Sequence, residues 1–225
     1  MTDARRHSFA ETPSIITDPD EKARREAENG LRQFDVTVQT VLQWTENPDR
    51  RFRLRTSTIQ QLQRVALDGL CPFAGNWRPG NVEIRGSKHQ PPPAHMVAIH
   101  VEEMCDYVND HWAEANPVHL AAYVMWRLNW IHPFADGNGR TSRAISYLVM
   151  CIRLGYVLPG TNTIPDQIAA NKPPYYKALE AADAAWFGEG RVDVSVLEAM
   201  LAGMLAKQLV SVIADATGKD LAEPQ

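Results

Sequence analysis

Cysteine is scarce in this chain: three residues, Cys71, Cys105 and Cys151, with no CxxC pair. A scattered, odd-numbered set builds no disulfide framework and fits a reducing compartment, so a cytoplasmic protein is expected. Neither GxxxxGK[ST] nor GxGxxG occurs, which excludes the P-loop and the dinucleotide fingerprint. HExxH is absent too, and His95 and His100 stand five apart, a poor spacing for one helix face. A dedicated protein cage for a metal is not expected. The first residues (MTDARRHSFAETP) lack the apolar stretch of a leader, and no run reads as long enough to span a bilayer, so no membrane partner is expected. The net charge of −4 gives no basic surface for nucleic acid. Internal repeats and low-complexity tracts are missing as well.

What the chain does have is a dense cluster of chemistry. Its 225 residues suit one domain, or one with appendages. Residues 132–143 read HPFADGNGRTSR. Gly137 and Gly139 have no Cβ and tolerate positive φ, so backbone there can approach phosphate oxygens. Asn138 between them can keep the turn and offer an amide. Asp136 is a hard carboxylate suited to a magnesium ion that keeps most of its water. From Arg140 to Leu154 the pattern is helical and Gly155 stops it, so the loop delivers an anion onto a helix N-terminus. Arg140 and Arg143 share one face of that helix and can reach a phosphate tail. His132 is the group able to take a proton near neutral pH. Singly, each residue has a plainer reading: Asp-Gly-Asn-Gly is common turn chemistry, and His-Pro often closes a helix. Together they favour a site, because arginines in a first helical turn oppose the dipole unless an anion is present.

The stretch resembles the Fic/Doc family signature HxFx[D/E]GNGRxxR at every specified position: His132, Phe134, Asp136, Gly137, Asn138, Gly139, Arg140 and Arg143. The likeness extends over roughly residues 60–190. It implies an all-α fold, a Fic-type helical bundle with a short β-hairpin flap. The expected organisation is an N-terminal extension over residues 1–56, a Fic core over 57–190 and a C-terminal helix and tail over 191–225. It further implies transfer of AMP from ATP, with Mg²⁺, to a Tyr, Thr or Ser hydroxyl of a target protein, with His132 as the base. Three alternatives stay open at this point: a kinase-like or other nucleotide transferase, removal of AMP from a modified protein, and a toxin–antitoxin module with little activity of its own. A separate antitoxin chain and a homodimer are left open with them.

The remaining candidates follow from pattern and resemblance together. A helix begins at Pro19 with Asp18 as N-cap, and Leu31, Phe34, Val38, Val41 and Leu42 read as its single apolar stripe. Asn29-Gly30 interrupts it, leaving one kinked helix or two. Some Fic proteins carry [S/T]xxxE[G/N] on such a helix, its glutamate opposing the last signature arginine. The nearest match, RREAEN, offers Glu28 against Arg143, although Arg24 stands where the hydroxyl belongs. A second helix is expected over 57–68. Residues 75–93 break the helical pattern, and the alternation around Val82, Glu83 and Ile84 reads as a short hairpin. Similar segments in Fic proteins hold the target as an added strand, so these three residues are the expected docking contact. Lys88 and His89 would border the nucleotide. Helices are expected over 94–110 and from Pro117 to about Ile131, the latter apolar nearly all round and therefore central. Beyond them lie helices over 165–171, 174–187 and 192–213. Resemblance puts Asn171, Tyr175 and Tyr176 near adenine and ribose, while packing alone explains both tyrosines equally well.

Overall fold

Helix dominates the described residues, as the periodicity predicts. The computed structural model describes residues 8–9, 15–47 and 51–217. In chain order these form β1 (Ser8–Phe9), α1 (Pro19–Thr45), α2 (Thr56–Ala66), β2 (Glu83–Ile84), a 3₁₀ turn (Ala94–Met96), α3 (Val97–Asp110), α4 (Pro117–Ile131), α5 (Asn138–Leu154), α6 (Ile164–Ala170), α7 (Lys172–Glu189) and α8 (Ser195–Thr217).

Helix α4 is the centre. Asn116 caps it by accepting from the Val118 amide at 2.8 Å, and Pro117 loses nothing in a first turn where N–H groups have no helical acceptor. Leu120, Val124, Leu128 and Ile131 are buried on one side and Tyr123, Met125 and Trp126 on the others. Helix α5 makes the most extensive contact with it, and Ile145, Leu148 and Val149 of α5 belong to the same buried core. Helix α3 packs alongside with Val97, Val101, Met104, Cys105 and Val108, the five residues its pattern predicts inward. Helices α7 and α8 close the far side.

Helix α1 departs from expectation. It is one continuous helix through Asn29-Gly30, and its buried face is polar: Asn29, Gln33, Thr37 and, last, Val41. Leu31 and Phe34, read as core, are 71% and 40% exposed. The physical reason lies in what α1 covers. Carbonyl groups at the end of a helix have no intrahelical partner, and α1 supplies donors to that end of α2. Asn29 Nδ2 donates to Ala66 O at 3.4 Å and, just past the helix, to Asp68 O at 2.8 Å, while Gln33 Nε2 adds a second bond to Leu62 O in the last turns at 3.0 Å. A side-chain amide does there what an apolar residue cannot.

Two further corrections follow. The flap is no self-paired hairpin: β2 pairs antiparallel with β1, Ser8 opposite Ile84 and Phe9 opposite Glu83. The turns around it were legible, but the partner strand lies some 75 residues away, beyond any local signal. In α8, Ser195–Val212 has a mean hydropathy of 1.3 and the length to cross a membrane, against the expectation that no run does. Small residues such as Ala199, Ala202 and Gly203 hide that length from a search for bulky apolar runs. In this structure its Leu197 and Leu201 pack into the core beside α4 and α7.

Candidate active site

The loop between α4 and α5 is held from four directions. His132 closes α4 in the left-handed region (φ 51°), the sole non-glycine with positive φ among the described residues. Such a conformation costs on the order of 1 kcal/mol or more and persists only where the surroundings impose it. Its amide donates to Leu128 O at 3.0 Å, and its carbonyl accepts from Arg78 Nε at 2.9 Å. Phe134 is fully buried against the Trp77 ring, centroids 5.1 Å apart, and anchors the loop in the core. Asn138 bonds Phe134 twice, accepting from its amide at 2.9 Å and donating to its carbonyl at 2.8 Å. Those bonds commit the Asn138 side chain to holding the turn. From α2, Gln63 Nε2 donates to Asp136 O at 3.0 Å.

Within this frame the imidazole is 6% exposed, with Nδ1 3.3 Å from Asn129 O. That contact assigns the hydrogen to Nδ1 and the lone pair to Nε2. Burial is the main force on its pKa and pushes it down to about 3; the Asn129 carbonyl opposes the shift, while His89 and Arg78 add to it. His132 is therefore neutral throughout the physiological range, the state a base requires.

Gly137 is the N-cap of α5, at φ 80°, and a Cβ there would lie 2.3 Å from Leu67 Cδ2. Gly139, by contrast, is helical. A Cβ on it would stand 3.3 Å from Arg143 Nη1, so its contribution is space beside that guanidinium, not positive φ. Gly137 has no side chain with which to cap α5, and Asp136 Oδ1 accepts the Gly137 amide at 2.6 Å; the helix N-terminus beyond it favours an anion. Arg140 Nη2 lies 3.6 Å from Asp136 Oδ2 and 3.8 Å from Glu26 Oε1. Arg143 is desolvated, which pushes its pKa down, with Arg140 adding to the shift against Tyr175. A dehydrated guanidinium next to a second cation gains much from an incoming anion.

These groups line one cavity of about 640 Å³, which also takes in His89, Tyr175, Tyr176 and Ile84. Its wall also has an aromatic and apolar part, with Trp126, Trp130 and Leu179. Asp183 there accepts from Trp126 Nε1 at 2.8 Å, and His89 Nε2 lies 2.7 Å from Trp130 O. Tyr175 is buried, yet its hydroxyl sits 2.8 Å from Asn129 Nδ2 at the cavity's edge, so packing and lining coincide in one residue. The volume suits a molecule of nucleotide size.

Several predicted residues are not brought in. Lys88 is exposed and outside the cavity wall, because the flap turns His89 inward in its place. Asn171 is an exposed joint between α6 and α7, also outside the wall. The Lys172-Pro173-Pro174 stretch forms the first turn of α7, where prolines are tolerated, and that displaces Asn171 from the expected face. Val82 is buried and precedes β2, so strand pairing falls to Glu83 and Ile84. Glu28 is exposed and pairs with Arg25 at 3.7 Å; the acid that α1 turns toward Arg140 is Glu26, two residues earlier.

Sequence reasoning missed Lys22 and Glu26, Lys172, Trp130 and Asp183, all of which line the cavity. Asp183 was within reach, since Tyr175, Leu179 and Asp183 repeat every four residues along one face of α7. Lys22 and Glu26 were not, because which face of α1 meets the loop depends on its polar docking.

Known proteins give the following likenesses. The Fic/DOC family profile matches residues 53–150. A protein adenylyltransferase Fic of Drosophila persimilis is 33% identical over 136 residues, which cover 60% of this chain and 25% of the relative. The chain thus spans about a quarter of the length of the curated relatives it matches. In fold it is similar to a Fic domain containing signaling protein from Bacteroides thetaiotaomicron, with a TM-score of 0.67, 22% identity, and coverage of 86% of this chain and 74% of that one. It is also similar to a VirB-translocated effector from Bartonella tribocorum crystallised with bound AMPPNP, with a TM-score of 0.54, 12% identity, and coverage of 89% and 94%.

Proposed function

We propose, from the match of residues 53–150 to the Fic/DOC family profile, that the chain is a protein adenylyltransferase. It moves AMP from ATP to a Tyr, Thr or Ser hydroxyl of a target protein and releases pyrophosphate. One observation carries the reading above the others. A neutral, buried imidazole and the N-terminus of α5, with Arg140 and Arg143, open on the same cavity. The nucleotide seen in the Bartonella tribocorum protein supports the choice of ligand.

The base lies at the aromatic part of the wall, by Trp126, Trp130, Tyr176 and Leu179, and the triphosphate runs toward Gly137 and Gly139. The target oxygen attacks the α-phosphorus while its proton passes to Nε2 of His132. The bond from that phosphorus to the oxygen bridging to the β-phosphate breaks, and its electron pair leaves with pyrophosphate. Arg140, Arg143 and the α5 amides carry the growing charge, which is where most of the rate arises in phosphoryl transfers. The imidazolium so formed is stabilised by the phosphates beside it, offsetting the burial that disfavours it in the empty cavity, and loses its proton to water.

Asp136 is the residue that would hold Mg²⁺. Its carboxylate is half exposed at the cavity wall, and no cluster of three or more ligand side chains exists among the described residues. A lone carboxylate of that kind fits an ion completed by phosphate oxygens and water, not a protein cage. When bound, the ion would neutralise charge on the α- and β-phosphates.

Docking of the target falls to β2. That β1 pairs there supports an edge able to take an extended segment through main-chain bonds, and a target using that edge must displace Ser8–Phe9.

The test is incubation with Mg²⁺ and ATP labelled at the α-phosphorus, alone and with lysate, followed by mass spectrometry of labelled proteins. The expected result is an AMP adduct on a hydroxyl side chain, made from α-labelled and not γ-labelled ATP. Label from the γ-phosphorus alone, or from neither, overturns the proposal.

A further inference from the structure

Arg78 has no part in the transfer as set out above, yet the structure spends a buried cation on it. It is 3% exposed and stands between α2 and the flap, in a stretch whose sequence, Trp77-Arg78-Pro79-Gly80, reads as nothing more than a turn. Its guanidinium meets three backbone carbonyls: Nε donates to His132 O at 2.9 Å, Nη1 to Gly80 O at 2.9 Å, and Nη2 to Pro92 O. Its own amide donates to Pro133 O at 2.9 Å. Gly80 and Pro92 are the two ends of the flap, and Asn81 narrows the same neck by accepting from the Ala94 amide at 3.0 Å. Taking a guanidinium out of water is expensive, so packing alone would be served by an apolar side chain of similar volume. What an apolar side chain could not do is fix three separate pieces of backbone at hydrogen-bond distance from one rigid, planar fork.

The pieces that Arg78 joins are the two that must meet during transfer. One is the segment carrying β2, on which the target is presented. The other is the backbone of His132, held in a left-handed conformation that the chain would not adopt unaided. We propose that Arg78 is a positioning residue for the transfer, setting the spacing between the flap strand and the imidazole so that a hydroxyl presented on the first arrives at the second. The inference rests on the adenylyltransferase reading. Reacting atoms must come within about 3–3.5 Å, and a misplacement of about 1 Å costs on the order of 10²-fold in rate. Arg78 itself lies outside the cavity wall, so replacing it removes no direct contact with the nucleotide.

The test compares the wild-type chain with Arg78→Met and Arg78→Lys, using α-labelled ATP with Mg²⁺ and the protein that the wild type labels in lysate. The expected result is a kcat about 10²-fold lower with the KM for ATP unchanged, and a raised KM for the target. Arg78→Lys keeps the charge but cannot span three carbonyls, so it should fold and still show the loss. It decides the matter if Arg78→Met does not fold. Wild-type kcat in both variants, or in Arg78→Lys alone when only that variant folds, overturns the proposal. So does a fall in ATP affinity and melting temperature that accounts for the whole rate loss, since a merely structural arginine would give that. No labelling by the wild type would sink the adenylyltransferase reading itself, whereas labelling unaffected by both variants sinks only the role of Arg78.

Discussion

Two interfaces of this fold meet around the loop between α4 and α5, and they are made of opposite materials. Helices α4 and α5 join through an apolar seam that includes Val124, Leu128, Ile145, Leu148 and Val149, all buried. Helices α1 and α2 join through Asn29 and Gln33, whose amides reach the carbonyls of Leu62, Ala66 and Asp68. The first interface carries His132 on one helix end and the glycine turn on the next. The second only brings Lys22 and Glu26 to the cavity's rim. Apolar packing of the first kind leaves few alternative arrangements, which a reacting geometry needs. Hydrogen bonds hold the second, each worth about 1 kcal/mol net. The difference says which half of the site is fixed and which is adjustable.

The sharpest way to break the fixed half is at its chemistry. His132→Ala should lower transfer about 10²–10⁴-fold, the usual contribution of a general base, while the circular dichroism spectrum stays that of the wild type. The same residue has a signature in stability. Its folded pKa lies below the ordinary value, so the unfolded chain takes up a proton first. Stability is full above about pH 6.5 and falls as pH drops from there toward the folded pKa. At pH 5 the loss from this one group is about 2 kcal/mol. His132→Ala should remove that part of the acid sensitivity, read as a flatter dependence of the denaturation midpoint on pH. An unchanged slope would mean the imidazole is not buried and neutral.

Next comes packing. Leu148→Ala in the apolar seam should cost about 2–5 kcal/mol in urea denaturation. Gln33→Ala in the polar one should cost only about 1–2 kcal/mol. Equal costs would erase the distinction between the two interfaces.

Smaller effects probe the adjustable half. Removing the acid in Glu26→Ala takes a half-exposed partner from Arg140, and such pairs are worth about 0.2–1 kcal/mol. Nucleotide affinity should therefore rise a few-fold at most by calorimetry, and Glu28→Ala should leave it unchanged. The reverse order would restore Glu28 as the residue that opposes the site. The least effect is expected from the double change Ser8→Pro and Phe9→Pro, which removes strand amides from β1. Target labelling at low target concentration should increase modestly. No increase would mean β1 does not compete with a target for the flap edge.

How far these features could be read in advance depended on the range of the forces involved. The bounds of α3 and α4, the inward faces of both, and the loop between α4 and α5 followed from spacing, capping and glycine placement, because those are local. The same local reading failed on α1. An apolar stripe at Leu31 and Phe34 was the natural choice for a helix seeking a core, but α1 docks on the end of another helix, where carbonyls need donors. It failed at the flap too, since β2 finds its partner in Ser8–Phe9, at a distance in sequence that no turn signal spans.

The sequence by itself determined the helical class, the central place of α4 and the glycine turn that opens α5, since periodicity and backbone stereochemistry are properties of short stretches. Only the tertiary structure decided that Glu26 and not Glu28 faces Arg140, that Asp183 and Trp130 share the cavity with Tyr175, and that Arg78 binds the flap to His132. Each of those depends on two segments meeting at a particular rotation and distance. Hydrogen bonds act over about 3 Å, and no pattern along a single chain encodes separations that fine.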